Sequence, residues 1–389
     1  MTVCIIGWAH GNFGRQPEAD IEALLGSVAG SALADAGVDA GEVDAAFVGM
    51  LNCGFSPQDF PSPLLLQSVA GLRFKPVTRL ENACATGSAA LHAAINHIES
   101  GRGRIALVVG AEKMTDVPTE TAGENLLRCS YRPEEAATPG GFAGVFGQIA
   151  ARYFATYGDQ SASLARIAAK NHLNALDNPY AQMRKELGFD FCNTVSEKNP
   201  LVAGPLRRTD CSPLSDGAAA LVVADIDVAL AARKAVAIRA AEQVTDFMPL
   251  SRRNPIWLEG ASIAWQRALK AARATLKDLS LVEVHDCFTI AELMAYEAMG
   301  LTPRGEGARA IDEGWVGKSG ILPVNPSGGL KAKGHPIGAT GVSMHVLAAM
   351  QVTGCAGGMQ IPNARLAGVF NMGGSGVANY VSILEPLRG

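Results

Sequence analysis

The sequence predicts an α/β protein built from two similar halves, the first carrying an insertion. Short apolar runs that read as strands recur at 3–7, 45–49, 104–110, 218–224, 236–240, 281–284, 366–370 and 377–384, and helix-like stretches separate many of them. A weak internal repeat accounts for the doubling. Ala85-Thr86-Gly87 opens an alanine-rich helix leading to the strand that begins at Arg104, and Ala339-Thr340-Gly341 opens another leading to the strand that begins at Arg365. The two units agree apart from a short insertion near Gly357-Gly358. Between 117 and 204 the strand rhythm lapses into Gly140-Gly141, aromatics and an amphipathic stretch at 163–176, which reads as an inserted loop domain of the kind that covers an active site. The expected halves are therefore 1–118 plus 204–232 and 233–389, with the loop domain at 119–203.

A chain of 389 residues exceeds what one hydrophobic core supports, so two core-forming units are expected. Its 48% hydrophobic and 18% charged residues fit a globular enzyme with room for an oligomer interface. A net charge of -4 without a long Lys/Arg run excludes the electrostatic footprint of a nucleic-acid or anionic-membrane binder. The eight cysteines never form a C-x-x-C pair and no H-E-x-x-H helix occurs, so no metal is expected and the thiols read as those of a reduced, cytoplasmic protein. The N-terminus lacks a signal peptide, and no apolar run approaches the roughly 18 residues of a membrane span. The tail Pro386-Leu387-Arg388-Gly389 is no peroxisomal address. Phosphate-binding loop, G-x-G-x-x-G and G-x-S-x-G signatures are all missing, which removes support for nucleotide hydrolysis, nicotinamide binding and serine hydrolysis.

Three places could carry chemistry. Cys84 lies in Asn82-Ala83-Cys84-Ala85-Thr86-Gly87 at the start of a helix of small residues, where free N–H groups and the helix dipole favour a thiolate. His335 lies in a glycine-rich loop, Asn325-Pro326-Ser327-Gly328-Gly329-Leu330-Lys331-Ala332-Lys333-Gly334-His335-Pro336, which permits positive φ angles and close backbone approach to a ligand. His285-Asp286-Cys287-Phe288 follows the apolar strand at 281–284 and precedes a helix, with Thr289 and Glu292 at capping-box spacing. A neutral histidine there can donate to a developing oxyanion, and the adjacent thiol can exchange protons. His10, His92, His97, His172 and His345 have no such setting and read as helix-surface or satisfied core residues.

With these residues in view, the chain resembles the thiolase family, the coenzyme A-dependent enzymes that make or cleave 3-ketoacyl thioesters. Asn82-Ala83-Cys84-Ala85-Thr86-Gly87 is similar to the nucleophile motif, and Gly334-His335-Pro336-Ile337-Gly338-Ala339-Thr340-Gly341 matches G-H-P-x-G-A-[ST]-G without a gap. Asp210-Cys211-Ser212-Pro213-Leu214-Ser215-Asp216-Gly217 resembles the segment beside the pantetheine arm of coenzyme A, which makes Ser212 a binding candidate. His285-Asp286-Cys287-Phe288 stands where most thiolases carry N-E-A-F, and Asn371-Met372-Gly373 where they carry C-x-G. The first variant resembles the sterol carrier protein type of thiolase, in which that cysteine takes over the acid/base role. Gly110-Ala111-Glu112-Lys113-Met114 and Lys170-Asn171-His172 resemble the same branch. No lipid-transfer domain is expected to be appended.

The resemblance implies a duplicated thiolase fold, two βαβαβαββ halves forming a five-layer αβαβα sandwich with an inserted loop domain. It implies that His335 takes the proton of Cys84, that the thiolate forms an acyl-enzyme, and that Cys287 moves the α proton of acetyl-CoA. His285 and His335 would hold the thioester oxygen, while the backbone N–H groups of Cys84 and Gly373 would receive the acyl-enzyme oxyanion. No permanently bound cofactor is implied; coenzyme A or acetyl-CoA is the co-substrate, acyl-CoA the partner, lipid and fatty acid metabolism the setting, and a homodimer or homotetramer the assembly. Phe142, Phe146 and Met183 of the insertion are candidates to line the acyl pocket. Two alternatives stay open: a thiolase-like retro-aldolase subunit acting with a partner protein, and a non-catalytic acyl-CoA or lipid binder.

Overall fold

The computed structural model describes residues 2–387; Met1 and the last two positions of the C-terminal tail lie outside the described residues. Eleven strands are present among them: β1 (Val3–His10), β2 (Ala45–Gly49), β3 (Val77–Leu80), β4 (Ile105–Glu112), β5 (Leu201–Ala203), β6 (Leu206–Arg207), β7 (Gly217–Asp225), β8 (Val236–Thr245), β9 (Leu281–Val284), β10 (Ala367–Gly373) and β11 (Ala378–Pro386). Apart from the short hairpin β5–β6, they form one mixed sheet in the order β3-β2-β4-β7-β1-β8-β11-β10-β9. The order is palindromic. In each half an antiparallel pair nearest the centre leads outward to parallel strands, and β1 meets β8 at the seam through Cys4 with Ala237 and Ile5 with Val236. The counterpart of β3 in the second half is a single parallel bridge, Val282 with Val324. Strand β3 is not expected from the sequence, because its Val-Thr-Arg-Leu is partly exposed at the sheet edge and lacks an apolar run.

Side-chain alternation in the strands sets the layers. Ile105, Leu107 and Val109 of β4 share a core with Leu24, Leu25 and Val28 of the outer helix Ile21–Ala36. Ala106 and Val108 face the other way, onto Ala90, Leu91 and Ala94 of the helix Thr86–Glu99. That helix and Ile337–Val352, which is buried along almost its whole length, fill the space between the two half-sheets. Glu259–Ala271 covers the outer face of β8 and β11. The five layers expected from the resemblance are thus present.

The tripeptides that revealed the repeat lie where the two central helices touch. A Cβ on Gly87 would come within 2.7 Å of the backbone nitrogen of Val342 and 2.9 Å of that of Gly341; one on Gly341 would come within 2.3 Å of the nitrogen of Ser88. Only hydrogen fits there, so the start of each helix lies against the start of the other. The segment expected as an insertion supplies the helices Thr119–Leu126, Gly141–Tyr157 and Ser161–Ala175. It belongs to the first half in sequence, yet Ser161–Ala175 packs on Thr289–Ala298 and Gly329–Lys333 of the second. The hairpin β5–β6 runs across the expected boundary at 203–204.

Gly87→Ala is expected to overpack this crossing, lowering stability by about 1–3 kcal/mol, and to reduce activity by moving both helix starts. Urea denaturation and steady-state rates check the two effects.

Candidate active site

Cys84 sits two residues before the helix Thr86–Glu99, in a turn held open by Ala83 at φ +48. Thr86 fixes that turn: its hydroxyl donates to the Ala83 carbonyl at 2.6 Å and accepts from the Asn82 amide at 2.9 Å. The second half brings His335. Gly334 precedes it at φ +113, a backbone conformation glycine adopts without a steric penalty, and Gly329 is crowded by the Asp286 carboxylate, whose oxygen would lie 2.2 Å from a Cβ there. Two buried carboxylates brace the loop. Asp286 accepts from the Leu330 amide at 2.6 Å and the Lys331 amide at 3.2 Å. Glu112 accepts from the amides of Leu51, Asn52 and Gly338, each at 2.9 Å, and so ties the end of β2 to the residues just after His335.

These supports bring three expected residues together. The Cys84 sulfur, one ring nitrogen of His285 and one of His335 all lie within 4.8 Å of one another, and the two rings meet edge to face with centroids 5.0 Å apart. His335 Nδ1 contacts the Thr340 hydroxyl at 2.7 Å and His285 Nδ1 contacts the Asn371 amide at 2.9 Å; neither Nε2 has a protein partner. Cys84, Cys287 and His335 line one apolar cavity of about 230 Å³, with Phe142, Met114 and Leu126 among its other walls. His285, fully buried, adjoins Cys84 and His335 of this lining.

Burial decides the charge states. It pushes the Cys84 thiol well above the ordinary cysteine value, the neighbouring Cys287 adds to this, and an N–H donated by Gly374 opposes it. The helix-terminus argument for a resting thiolate is therefore corrected: loss of hydration outweighs the dipole. Cys287 is likewise pushed up, by burial and then by Asp286. Burial and the Lys333 cation lower His335 to about 3, and burial, His335 and Lys333 lower His285. The resting site is uncharged: two thiols and two neutral imidazoles.

The amide acting on the Cys84 sulfur is that of Gly374, which opens the turn after β10 at φ +62, next to Gly373, the residue expected to donate to the acyl-enzyme oxyanion. The expected Thr289–Glu292 capping box is not made. Thr289 instead donates to Asp210 at 2.8 Å, and Glu292 is drawn inward to Lys170 at 2.8 Å and to Asn171 and Asn325. Of the proposed pocket residues, Phe142 lines the cavity, whereas Phe146 stacks behind Phe288 at 4.4 Å and Met183 lies in a second cleft. That cleft, about 710 Å³, shares Val202, Cys211, Ser212 and Pro213 with the Cys84 cavity and carries Lys185, Lys198, Arg208 and Lys331. Sequence reasoning missed these cations, which are scattered in the chain, and also His172, which is buried on the cleft wall with Nε2 3.3 Å from Lys331 Nζ.

The pattern of the thiolase N-terminal domain matches residues 3–227, and that described as thiolase C-terminal domain-like matches 241–386. The chain belongs to the thiolase family. This thiolase is 37% identical to the acetyl-CoA acetyltransferase of Methanothermobacter thermautotrophicus over 98% of its own length and 99% of the relative's. It is 32% identical to human sterol carrier protein 2, covering 92% of this chain and 67% of that one. Among solved structures, the Ltp2-ChsH2(DUF35) aldolase superposes on 100% of this chain and 98% of its own with a TM-score of 0.84 at 21% identity, a likeness of fold. The activity of this thiolase is acyl transfer to and from coenzyme A thioesters, and no helix among its described residues is long and apolar enough to cross a membrane.

A resting thiol predicts that alkylation of Cys84 by iodoacetamide, followed by peptide mapping, climbs steadily with pH through about 9. A step near 6.5 with a plateau above it would instead indicate a thiolate–imidazolium pair.

Proposed function

We propose that this thiolase makes and cleaves short 3-ketoacyl-CoA thioesters through an acyl-enzyme on Cys84, as a member of the sterol carrier protein type branch. The observation that carries the reading is the convergence of the Cys84 sulfur with two imidazoles whose Nε2 atoms lack protein partners, beside a small apolar cavity that adjoins a basic cleft. In the cleavage direction the Cys84 thiol gives its proton to His335 Nε2 as the sulfur adds to the C3 ketone. The C2–C3 bond breaks, its electron pair passes to the acetyl-CoA enolate, and Cys287 protonates C2. Coenzyme A then adds its sulfur to the acyl carbonyl while its S–H proton passes to the Cys287 thiolate. Cys84 leaves and recovers its proton from His335, and synthesis is the reverse sequence. A Cys287 thiol raised by burial suits this order, since at rest it holds the proton that C2 requires.

His285 serves as hydrogen-bond donor to the thioester oxygen, and the Gly373–Gly374 turn to the acyl-enzyme oxyanion. Lys185, Lys198 and Arg208 suit the phosphates of coenzyme A, and Ser212, on the wall common to both cavities, suits the pantetheine arm. Cys287 supplies the acid/base thiol that Asn371 cannot. The edge strand β3, flanked by exposed Phe60 and Phe74, suits the subunit contact of a homodimer or homotetramer. Eight free cysteines suit a reducing cytoplasm.

Incubation with acetyl-CoA is expected to add an acetyl mass to wild type and none to Cys84→Ala, whereas Cys287→Ala should still be labelled yet lose turnover about 10²–10⁴-fold. Labelling that persists in Cys84→Ala would move the nucleophile elsewhere. Arg208→Glu should raise the KM for coenzyme A with little change in the alkylation rate of Cys84. Acetoacetyl-CoA should be cleaved faster than 3-ketooctanoyl-CoA by the purified chain alone; a need for a second protein would favour the retro-aldolase reading.

A further inference from the structure

We infer that Asn371 sets the tautomer of His285, so that the two imidazoles of the site meet Cys84 in opposite proton states. Its consequence for turnover rests on the acyl-transfer reading above; the proton positions themselves do not. The argument turns on groups that can act in only one way. A backbone carbonyl accepts and never donates, so the Asn371 atom lying 3.1 Å from the Cys84 carbonyl oxygen is the amide nitrogen. Oδ1 then faces the opposite side, where the Ser88 hydroxyl donates to it at 2.8 Å. The same amide nitrogen lies 2.9 Å from His285 Nδ1. It has a second hydrogen to give and no lone pair to offer, so Nδ1 accepts. His285 is wholly buried and uncharged, and its single ring hydrogen therefore resides on Nε2.

The opposite logic holds at His335. Thr340 has one hydroxyl hydrogen, which it donates to the Pro336 carbonyl at 2.9 Å, and so it accepts from His335 Nδ1 at 2.7 Å. The hydrogen of His335 is thus on Nδ1, leaving a lone pair on Nε2. Both Nε2 atoms lack protein partners. One presents a donor and the other an acceptor, which matches the division of labour between holding a thioester oxygen and taking the Cys84 proton. A cysteine at position 371 could not substitute, since one weak S–H cannot serve both the Cys84 carbonyl and the imidazole. Asn371 is accordingly a positioning residue. It also spoils the cluster as a metal site: thiol and imidazole are donors zinc favours, but only one of the two imidazoles offers it a lone pair.

The test is nitrogen-15 NMR of histidine-labelled wild-type protein, with the His285 and His335 signals assigned by their loss in His285→Gln and His335→Gln. Protonated Nε2 at His285 together with protonated Nδ1 at His335 is expected; the reverse pattern, or a tautomer mixture at His285, overturns the inference without any variant at 371 having to fold. In Asn371→Asp the carboxylate accepts, which forces a hydrogen onto Nδ1 and strips the neutral ring of its Nε2 donor. Its kcat is expected to fall roughly a hundred- to a thousandfold near pH 8, with KM little changed, and to recover relative to wild type as acidification adds the second ring proton. An unchanged His285 signal in that variant, or a loss independent of pH, counts against the assignment. Wild type that shows the expected signals but no acetyl label on Cys84 would sink the acyl-transfer reading and leave the tautomers standing.

Discussion

Two helix starts that touch with no side chain between them govern the rest of this molecule. Cys84 belongs to one half of the chain and His335 to the other, and their separation is set by how closely Thr86–Glu99 approaches Ile337–Val352. Gly87 and Gly341 meet at backbone distance, and Gly110 and Gly338 extend the contact, since a Cβ on Gly110 would lie 2.4 Å from the Gly338 carbonyl. Interiors are packed too densely for such a contact to loosen gradually; an added methyl must displace a helix. The palindromic sheet serves this crossing by presenting equivalent faces to it from both sides.

Charge is arranged around the site and kept out of it. Glu112 and Asp286, each pushed up to about 7 with burial as the largest cause, accept from loop amides. Lys333 donates to Ser343 at 2.8 Å, and its cation adds to the burial that keeps both imidazoles neutral. A neutral site has a simple electrostatic advantage. Negative charge created on sulfur or oxygen during reaction meets oriented N–H groups in a medium of low dielectric, with no counter-charge to be displaced first.

The parts legible in the sequence were those where chemistry and local geometry coincide. The A-T-G repeats, the cysteine beside small residues and the histidine within glycines each signal crowding, and crowding is where the halves meet. Strand β3 was illegible because an edge strand needs no apolar run. Lys185, Lys198 and Arg208 were illegible for a different reason: single exposed cations carry no pattern until folding gathers them. The helix-dipole reading of Cys84 failed because burial, which raises the thiol, is invisible in local sequence, and the Thr289–Glu292 cap failed because Lys170 competes for the carboxylate. Asn371 was legible only as a departure. Its role depends on three partners, Cys84, Ser88 and His285, that no spacing in the chain connects.

The seam between β1 and β8 joins two units that depend on each other for the site. Because the thiol comes from one half and both imidazoles from the other, neither unit alone holds a working set of groups. A unit made by itself would present its glycine-lined helix start to solvent, and the second would hold His285 and His335 without Cys84. The two units are also unequal in the sheet, where β3 adds a third parallel strand to one and a lone bridge takes its place in the other.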